Sequence, residues 1–218
     1  MGSLGCGKNR RGGGSPGRAV QNLAQRDTKV QCYCTGRLLL GYYFKRLRFR
    51  DCKVSARNVI LREFDDDGFT IVTDNRSKKI DNVENISYAA MCFLWFYVND
   101  QDQKVTKQVR IEGTMKRLDS EQYKHLYDRE PLFCKIRSHV CDQGRVVDWE
   151  DLKRRHDEIL DSVRRGENDL PMPDHFVGYK LFPTMMEFYF ARDYLIGDRI
   201  LYRKDTSNDA WERHRISA

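Results

Sequence analysis

Three positive side chains lie close together in one stretch of the sequence. Arg57 interrupts a mostly apolar run, residues 54–62, and Lys78 and Lys79 follow where a helix is predicted to begin at Ser77. Cations that converge from a strand and from a helix N-terminus bind phosphate groups, because the side chains and the free backbone N–H groups both attract negative charge. The spacing therefore predicts a site for a phosphate-bearing ligand.

A β-hairpin is predicted to carry Arg57. Residues 54–62 and 69–73 are rich in Val, Ile, Thr and Phe, which favour strands, and an Asp-Gly turn signal separates the two runs. The alternative for Arg57 is an ordinary strand residue that pairs with an acid such as Glu112. The alternative for the two lysines is a solvated helix start.

Strand signals dominate the rest of the sequence. The predicted strands cover residues 38–50, 88–98, 105–118, 176–182, 185–190 and 199–203, and predicted helices begin at Ser77, Asp119 and Asp148. The first of these strands could pair with residues 54–62 through a turn at residues 51–53. Gly113 interrupts a long strand and indicates a β-bulge. This order predicts a mainly β (α+β) protein, in which a closed barrel has its helices on the outside.

Charge is distributed unevenly along the 218 residues, whose formal net charge is +7. The first 50 residues are strongly basic, with Asp27 as their one acid, and the remainder is mildly acidic. Residues 1–35 are rich in Gly and Arg and lack the apolar surface that folding requires, so we expect a disordered basic arm there and one domain over residues 36–218. A mildly acidic domain argues against nucleic-acid binding except through the arm, for which RNA and an anionic membrane are both open partners.

The apolar runs and the cysteines of the sequence limit the cellular compartment that we expect. No apolar run approaches the roughly 20 residues that span a bilayer, and the N-terminus lacks the apolar segment of a secretory signal. The seven cysteines include no Cys-x-x-Cys pair, and no His or Cys cluster has the spacing of metal ligands. We therefore expect a cytoplasmic protein with reduced cysteines, no metal site and no membrane span.

Three blocks of the sequence resemble the pyridoxine (pyridoxamine) 5'-phosphate oxidase family, which has an FMN-binding split β-barrel. Residues 55–79 contain its Ser-Ala-Arg and Asp-Gly elements and a Ser-Lys-Lys, residues 108–113 read Gln-Val-Arg-Ile-Glu-Gly, and residues 178–200 begin with Gly-Tyr-Lys-Leu-Phe-Pro. The blocks occur in the family's order. The resemblance implies the family's split barrel with peripheral helices.

The resemblance also implies a homodimer that holds FMN with residues from both subunits. Arg57, Lys78 and Lys79 would meet the FMN phosphate. Lys78 stands where the family has Arg, and Tyr189 stands where it has Trp, so the charge and the aromatic wall are kept. The flavin contacts implied in this way are Arg57, Asn58, Val59, Ile60, Val72, Thr73, Lys78, Lys79, Gln108, Gln143, Tyr189 and Arg199.

The positions that would hold a phosphorylated B6 vitamer depart from the family pattern. Arg62 stands where the family has Lys, and it is the one substrate-binding residue carried over. Glu130 stands where the family has Arg, Cys134 where it has Ser, and Leu195-Ile-Gly replaces Arg-x-His. An acid beside the substrate phosphate would repel it, and the lost polar contacts would weaken the orientation of the ring. No catalytic residue is singled out.

Three functions remain open at this point. The first is an FMN-dependent oxidase of vitamin B6 metabolism, which would form pyridoxal 5'-phosphate from pyridoxine or pyridoxamine 5'-phosphate. The second is a catalytically degenerate paralogue that binds FMN or another flat ligand without oxidising B6 vitamers. The third is a scaffold or RNA-associated protein that works through the arm and binds RNA in a salt-sensitive way. We take the oxidase as the prediction and the degenerate paralogue as its alternative.

Overall fold

The computed structural model describes the backbone of residues 36–40 and the complete residues 55–205 and 207–218. The predicted arm, residues 1–35, lies outside the described residues, so its expected disorder and partners stay predictions. Within the described ranges the chain is mainly β, as predicted, with nine strands and four helices.

One antiparallel sheet contains all strands of the described ranges. They are β1 Gly36–Leu40, β2 Ser55–Val59, β3 Glu63–Phe64, β4 Phe69–Asp74, β5 Tyr88–Val98, β6 Lys104–Arg117, β7 Phe176–Arg192, β8 Asp198–Lys204 and β9 Trp211–Ile216. Along the hydrogen-bonded path the order is β2-β1-β5-β6-β7-β4-β3, while β8 pairs with β7 and β9 with β8. The long strand β7 thus pairs with β4 through its first half and with β8 through its second half.

The sheet curls into a barrel because its two end strands are consecutive in the chain. β2 and β3 are separated only by residues 60–62, yet β2 pairs with β1 at one end of the path and β3 pairs with β4 at the other. The N–H of Arg62 donates to the carbonyl of Thr70 at 2.9 Å and extends the second pairing toward β2. The short segment 60–62 therefore closes the barrel.

The predicted hairpin is correct at its turn and wrong in part of its pairing. The Asp65 carboxylate accepts from the backbone N–H of Asp67 and of Gly68, both at 3.0 Å, and fixes the turn between β3 and β4. Only β3 continues from this turn as the partner of β4, whereas β2 pairs with β1. A turn signal reports local geometry, and the partner of β2 is set by barrel closure.

β7 is one strand where the sequence predicts two, residues 176–182 and 185–190. Pro183 lies between the two predicted strands, and proline cannot donate to a sheet ladder. In the structure Pro183 lies opposite Gly113, at a register shift between Glu112 and Gly113 of β6. This irregularity confirms the predicted bulge, and it accommodates the proline without ending the strand.

Four helices of the described ranges lie outside the sheet, and none of them is long and apolar enough to cross a membrane. They are α1 Lys78–Asn85, α2 Ser120–Asp128, α3 Leu132–Val140 and α4 Trp149–Arg164. Three begin at the predicted caps Ser77, Asp119 and Asp148, and the last two caps make their expected side-chain bonds. α3 was not predicted, because it is built largely from Phe, Cys, Ile and His, which are poor helix formers.

Helix α2 sits directly against the sheet at a glycine. Tyr123 and Tyr127 of α2 pack on Phe176 of β7, with ring centroids 6.2 and 5.0 Å from the Phe176 ring. A Cβ atom at Gly178 would lie 2.5 Å from Cδ1 of Tyr123, so a side chain larger than hydrogen does not fit. The absence of a side chain at Gly178 thus sets how closely α2, and with it Tyr127, approaches the barrel.

We expect Gly178→Ala to destabilise the protein by about 1–3 kcal/mol, because the new methyl group overpacks the contact with Tyr123. Urea unfolding of the wild type, Gly178→Ala, Tyr123→Ala and the double variant measures the coupling. In the Tyr123→Ala background the second change should cost less than about 0.5 kcal/mol. An equal cost in both backgrounds would show that the contact between the two residues is not the cause.

Candidate functional site

A cavity of about 700 Å³ opens beside β4, between the barrel-closing segment and helices α2 and α3. Its volume lies in the range of cofactor and small-molecule sites. Of the residues singled out from the sequence, Asn58, Val59, Ile60, Arg62, Val72, Thr73, Lys79 and Gln143 line it. Residues from four separate parts of the chain therefore meet in one place.

Lys79 supplies a buried positive charge to the cavity wall. Its side chain is 7% exposed, and Nζ donates to Oγ1 of Thr73 at 2.5 Å, Oγ of Ser77 at 2.6 Å and Oε1 of Gln143 at 3.2 Å. All three acceptors are neutral. Burial, and next the positive charge of Arg57, lower the pKa of Lys79 to about 8. The ammonium group therefore lacks a full negative counter-charge and would gain from an anion.

Arg57 lies close enough to Lys79 to act on its pKa, although it does not line the cavity. Its Nη2 donates to Oγ of Ser55, and no carboxylate of the described residues forms an ion pair with it. Glu112, the acid considered as its partner, lies 3.7 Å from Arg110 instead. Two of the three predicted cations thus converge.

Lys78, the third predicted cation, and Asp74, an acid of the cavity wall, change the charge of the cavity little. Lys78 is exposed and does not line the cavity, because successive helical residues point in different directions. Asp74 lines the cavity and partly offsets the charge of Lys79, but its Oδ2 lies 2.6 Å from Nη2 of Arg76. The positive charge of the Arg57–Lys79 pair is therefore not cancelled by Asp74.

An apolar strip adjoins this charge. Val59 and Ile60 come from the end of β2 and the closing segment, and Val72 comes from β4. Ile60 is 66% exposed, although it is a large aliphatic side chain beside a cavity. Such a strip suits the face of a flat ring, and its exposure indicates a surface that a ligand would cover.

The ion pair of Arg62 and Glu130 is a second charged group on the cavity wall, beside β4 and away from Lys79. Arg62 forms an ion pair with Glu130, which follows α2 and is 9% exposed. The backbone of Arg62 bonds to Thr70, which lies three residues from Thr73, a distance of roughly 10 Å along a strand. Oε2 of Glu130 is buried and has no hydrogen-bond partner of ordinary geometry among the described residues. The Arg62–Glu130 pair thus differs from Lys79: its charges are compensated, and one acceptor is unsatisfied.

Several lining residues lie on or near α3 and were missed with it. They are Arg137, Ser138 and Cys141, together with His175, whose Nε2 lies 2.7 Å from the carbonyl oxygen of Ser138. Cys134, noted only as a departure from the family pattern, also lines the cavity. Burial raises the pKa of its thiol, an effect that Arg137 opposes and Glu130 reinforces. Pro131 immediately before the helix was the only available sequence signal for this wall.

The remaining predicted residues lie elsewhere on the barrel. Gln108 and Tyr189 line a separate cavity of about 110 Å³ between β6, β7 and β8, and the guanidinium of Arg199 stacks 5.3 Å from the Tyr189 ring centroid. Leu94, Gln108, Tyr189 and Arg199 are directly opposite one another across four neighbouring strands, so they share one face of the sheet. Within one protomer this group does not join the larger cavity.

Comparison with known proteins shows which family this chain resembles. Residues 51–149 match the family model described as pyridoxamine 5'-phosphate oxidase, and residues 176–218 match the pyridoxine 5'-phosphate oxidase C-terminal dimerisation region. A pyridoxine/pyridoxamine 5'-phosphate oxidase of Salinibacter ruber is 34% identical over 167 residues, which cover 75% of this chain and 73% of that protein.

Two solved structures share the fold. PhzG from Burkholderia lata 383, in complex with tetrahydrophenazine-1-carboxylic acid, superposes with a TM-score of 0.77 at 21% identity and covers 94% of this chain and 93% of that one. An FMN-binding protein from Nostoc punctiforme, related to pyridoxamine 5'-phosphate oxidase, superposes with a TM-score of 0.66 at 15% identity and covers 92% and 96%. These likenesses confirm the predicted split barrel with peripheral helices. Together with the matched family models and the 34% identity, they show that the chain belongs to the pyridoxine/pyridoxamine 5'-phosphate oxidase family.

Proposed function

We propose that the protein is an FMN-dependent oxidoreductase that works as a homodimer. The observation that carries the proposal is the buried charge of Lys79, with the half-buried Arg57 nearby, beside the apolar strip of Val59, Ile60 and Val72. Among the described residues neither cation has a carboxylate as an ion-pair partner. A phosphate next to a flat ring is the chemistry that these two features fit. Relatives named as oxidases support the reaction class.

The phosphate group of FMN would be held by Lys79, with Arg57 adding charge from just outside the wall. Thr73 and Ser77 fix the ammonium group in place, and Gln143, whose bond to Lys79 is the longest of the three at 3.2 Å, is the partner that an anion would displace most easily. Because the cations are desolvated and held in advance, binding loses little free energy to reorganisation.

The ring would lie against the apolar strip, with the side chain of Asn58 at its edge. When bound, FMN supplies the hydride acceptor for oxidation of a CH–NH2 or CH–OH carbon. The residues of the chain bind the phosphate, exclude water from the ring face and orient the substrate beside it. B6 vitamers are the first candidate substrates, because the relatives are named for them.

A second copy would complete the site. Gln108, Tyr189 and Arg199, which the resemblance places at the flavin, lie on a sheet face away from the larger cavity. The same face exposes an apolar row on β5, where Leu94, Phe96 and Val98 are 38, 72 and 55% exposed. The match to a C-terminal dimerisation region supports the use of this face between subunits. We therefore assign the apolar row to the dimer interface and the polar group to the partner's flavin.

The alternative, a paralogue that keeps FMN but has lost B6-vitamer oxidation, is favoured by one observation. Arg62, the residue carried over for the substrate phosphate, is already paired with Glu130. Flavin binding is common to both functions, so it is tested first.

Lys79→Met should weaken FMN binding about 10- to 100-fold, because it removes a charge-assisted contact to the phosphate. Riboflavin lacks that phosphate, and its affinity should change less than about threefold. Titration of the flavin-free protein, followed by quenching of flavin fluorescence, measures both ligands. Lys78→Met is the matched control and should leave both affinities within about threefold. An equal loss for FMN and riboflavin would place Lys79 away from the phosphate.

FMN affinity should also fall as the pH rises above about 8. The pKa of Lys79 is lowered to about 8 in the free protein, so the ammonium loses its proton above that pH. A bound phosphate favours the ammonium, so its pKa is higher in the complex and binding takes up a proton. The dissociation constant should therefore rise by up to about tenfold per pH unit above pH 8 until the pKa of the complex is reached.

The phosphate of FMN does not contribute to this pH effect, because its second ionisation, with a pKa near 6, is complete. Titrations from pH 6.5 to 10 test the effect, and Lys79→Arg should abolish it, since Arg stays charged throughout. A flat profile for the wild-type protein, with riboflavin as the reference ligand, would contradict the assignment of the phosphate to Lys79.

Phe96→Glu should weaken the dimer at least about thirtyfold, because it places a charge in a desolvated apolar row, an effect of about 2 kcal/mol or more. Light scattering and analytical ultracentrifugation across a dilution series measure the dimer. Val146→Glu, in the loop between α3 and α4, is the control at an apolar residue that is even more exposed than Phe96. A dimer of unchanged strength in Phe96→Glu would remove this face from the interface.

A further inference from the structure

We propose that the cavity wall formed by Arg62, Glu130 and Cys134 selects a substrate without a phosphate group: a flat ring that offers an amine or hydroxyl donor to Glu130. This inference rests on the proposed function for the position of the ring beside the flavin site. It assigns Glu130 as the residue that determines which substrates are accepted.

The ion pair removes the charge that a phosphate would need. Glu130 accepts a hydrogen bond from Nη2 of Arg62 as well as pairing with its charge. The side chain of Glu130 is 5% exposed and that of Arg62 is 27% exposed, so water screens their attraction only weakly. A phosphate that recruited Arg62 would have to break this pair and leave the Glu130 carboxylate buried without its cation. That exchange is unfavourable, since an uncompensated buried charge is strongly destabilising.

The second carboxylate oxygen of Glu130 indicates which ligand group this wall would bind in place of a phosphate. Oε2 is buried, belongs to a residue that lines the cavity, and has no hydrogen-bond partner of ordinary geometry among the described residues. Besides Arg62, the Cys134 thiol, a weak donor, acts on this carboxylate. A buried acceptor without a strong donor is costly, and a ligand that supplies the donor recovers that cost on binding. An ammonium group does so with favourable charge, a hydroxyl group does so without charge, and a phosphate dianion brings only acceptors and repulsion.

The neighbouring groups do not restore a phosphate site. Burial raises the pKa of the Cys134 thiol, so it stays protonated and adds no negative charge of its own. The Tyr127 hydroxyl is engaged, at 2.9 Å from the carbonyl of Leu170 and 3.1 Å from Nε2 of His139. Arg137 lines the cavity with Nη2 3.7 Å from Sγ of Cys134, but it is exposed, so water and salt screen its charge.

Equilibrium dialysis of pyridoxamine and pyridoxamine 5'-phosphate tests the inference, because the two probes differ only in the phosphate. The wild-type protein, loaded with FMN, should retain pyridoxamine at least tenfold more tightly than its phosphate ester. Glu130→Gln keeps the shape of the side chain and releases Arg62, so it should raise the affinity for the ester at least tenfold and lower that for pyridoxamine. Arg62→Gln in the Glu130→Gln background should abolish the gain.

Two controls separate this test from that of the flavin site. The flavin content and thermal midpoint of each variant are measured first, and loss of FMN by the wild-type protein would count against the proposed function. Dialysis repeated without FMN tests the wall alone. The inference is overturned if the wild-type protein prefers the ester, if it binds neither probe, or if Glu130→Gln leaves the ratio of the two affinities unchanged.

Discussion

Closure of the barrel by residues 60–62 is the constraint on which the site depends. The closing segment must reach from β1, the partner of β2, to β4, the partner of β3, and it therefore passes directly beside β4. This brings Ile60 and Arg62 into the same wall as Val72 and Thr73. Barrel closure is a requirement of folding, since an open curled sheet leaves unpaired edges, and here it also builds one side of the binding cavity.

Two cations of the cavity wall differ in whether an acid compensates their charge, and this difference gives the two regions different chemistry. Lys79 has neutral acceptors and a second cation nearby, so an anion is favoured there. Arg62 has a buried carboxylate as its partner, so an anion is disfavoured there. One ligand phosphate is therefore expected in the cavity, at Lys79.

Local signals in the sequence predicted helix starts, turns and the bulge well, and predicted less well which strands pair. Helix caps such as Asp119, the Asp-Gly turn and the bulge at Gly113 were identified correctly, because each depends on backbone geometry within a few residues. The pairing of β2 with β4 was wrong, whereas pairing with the strand predicted from residue 38 agrees with the pairing of β1 and β2. The continuity of β7 through Pro183 and the helix α3 were missed. Tertiary contacts decide these features against local preference: barrel closure, a bulge at Thr184 of β7 next to the Pro183–Gly113 pair, and packing of Ile136 and Val140 in a buried cluster.

The same limit applies to the site. The sequence identified both Lys79 and Arg62 as cations near a phosphate, and the acid Glu130 at a family Arg position was the one sign that the two regions differ. The distinction depends on Glu130, 68 residues beyond Arg62, which reaches it only because Gly178 lets α2 lie close against the barrel and so places the residue that follows α2 at the cavity wall. A cation in a sequence is therefore a candidate for anion binding only until its partner is known. The chemistry of this cavity is set by which of its cations the fold leaves without an acid.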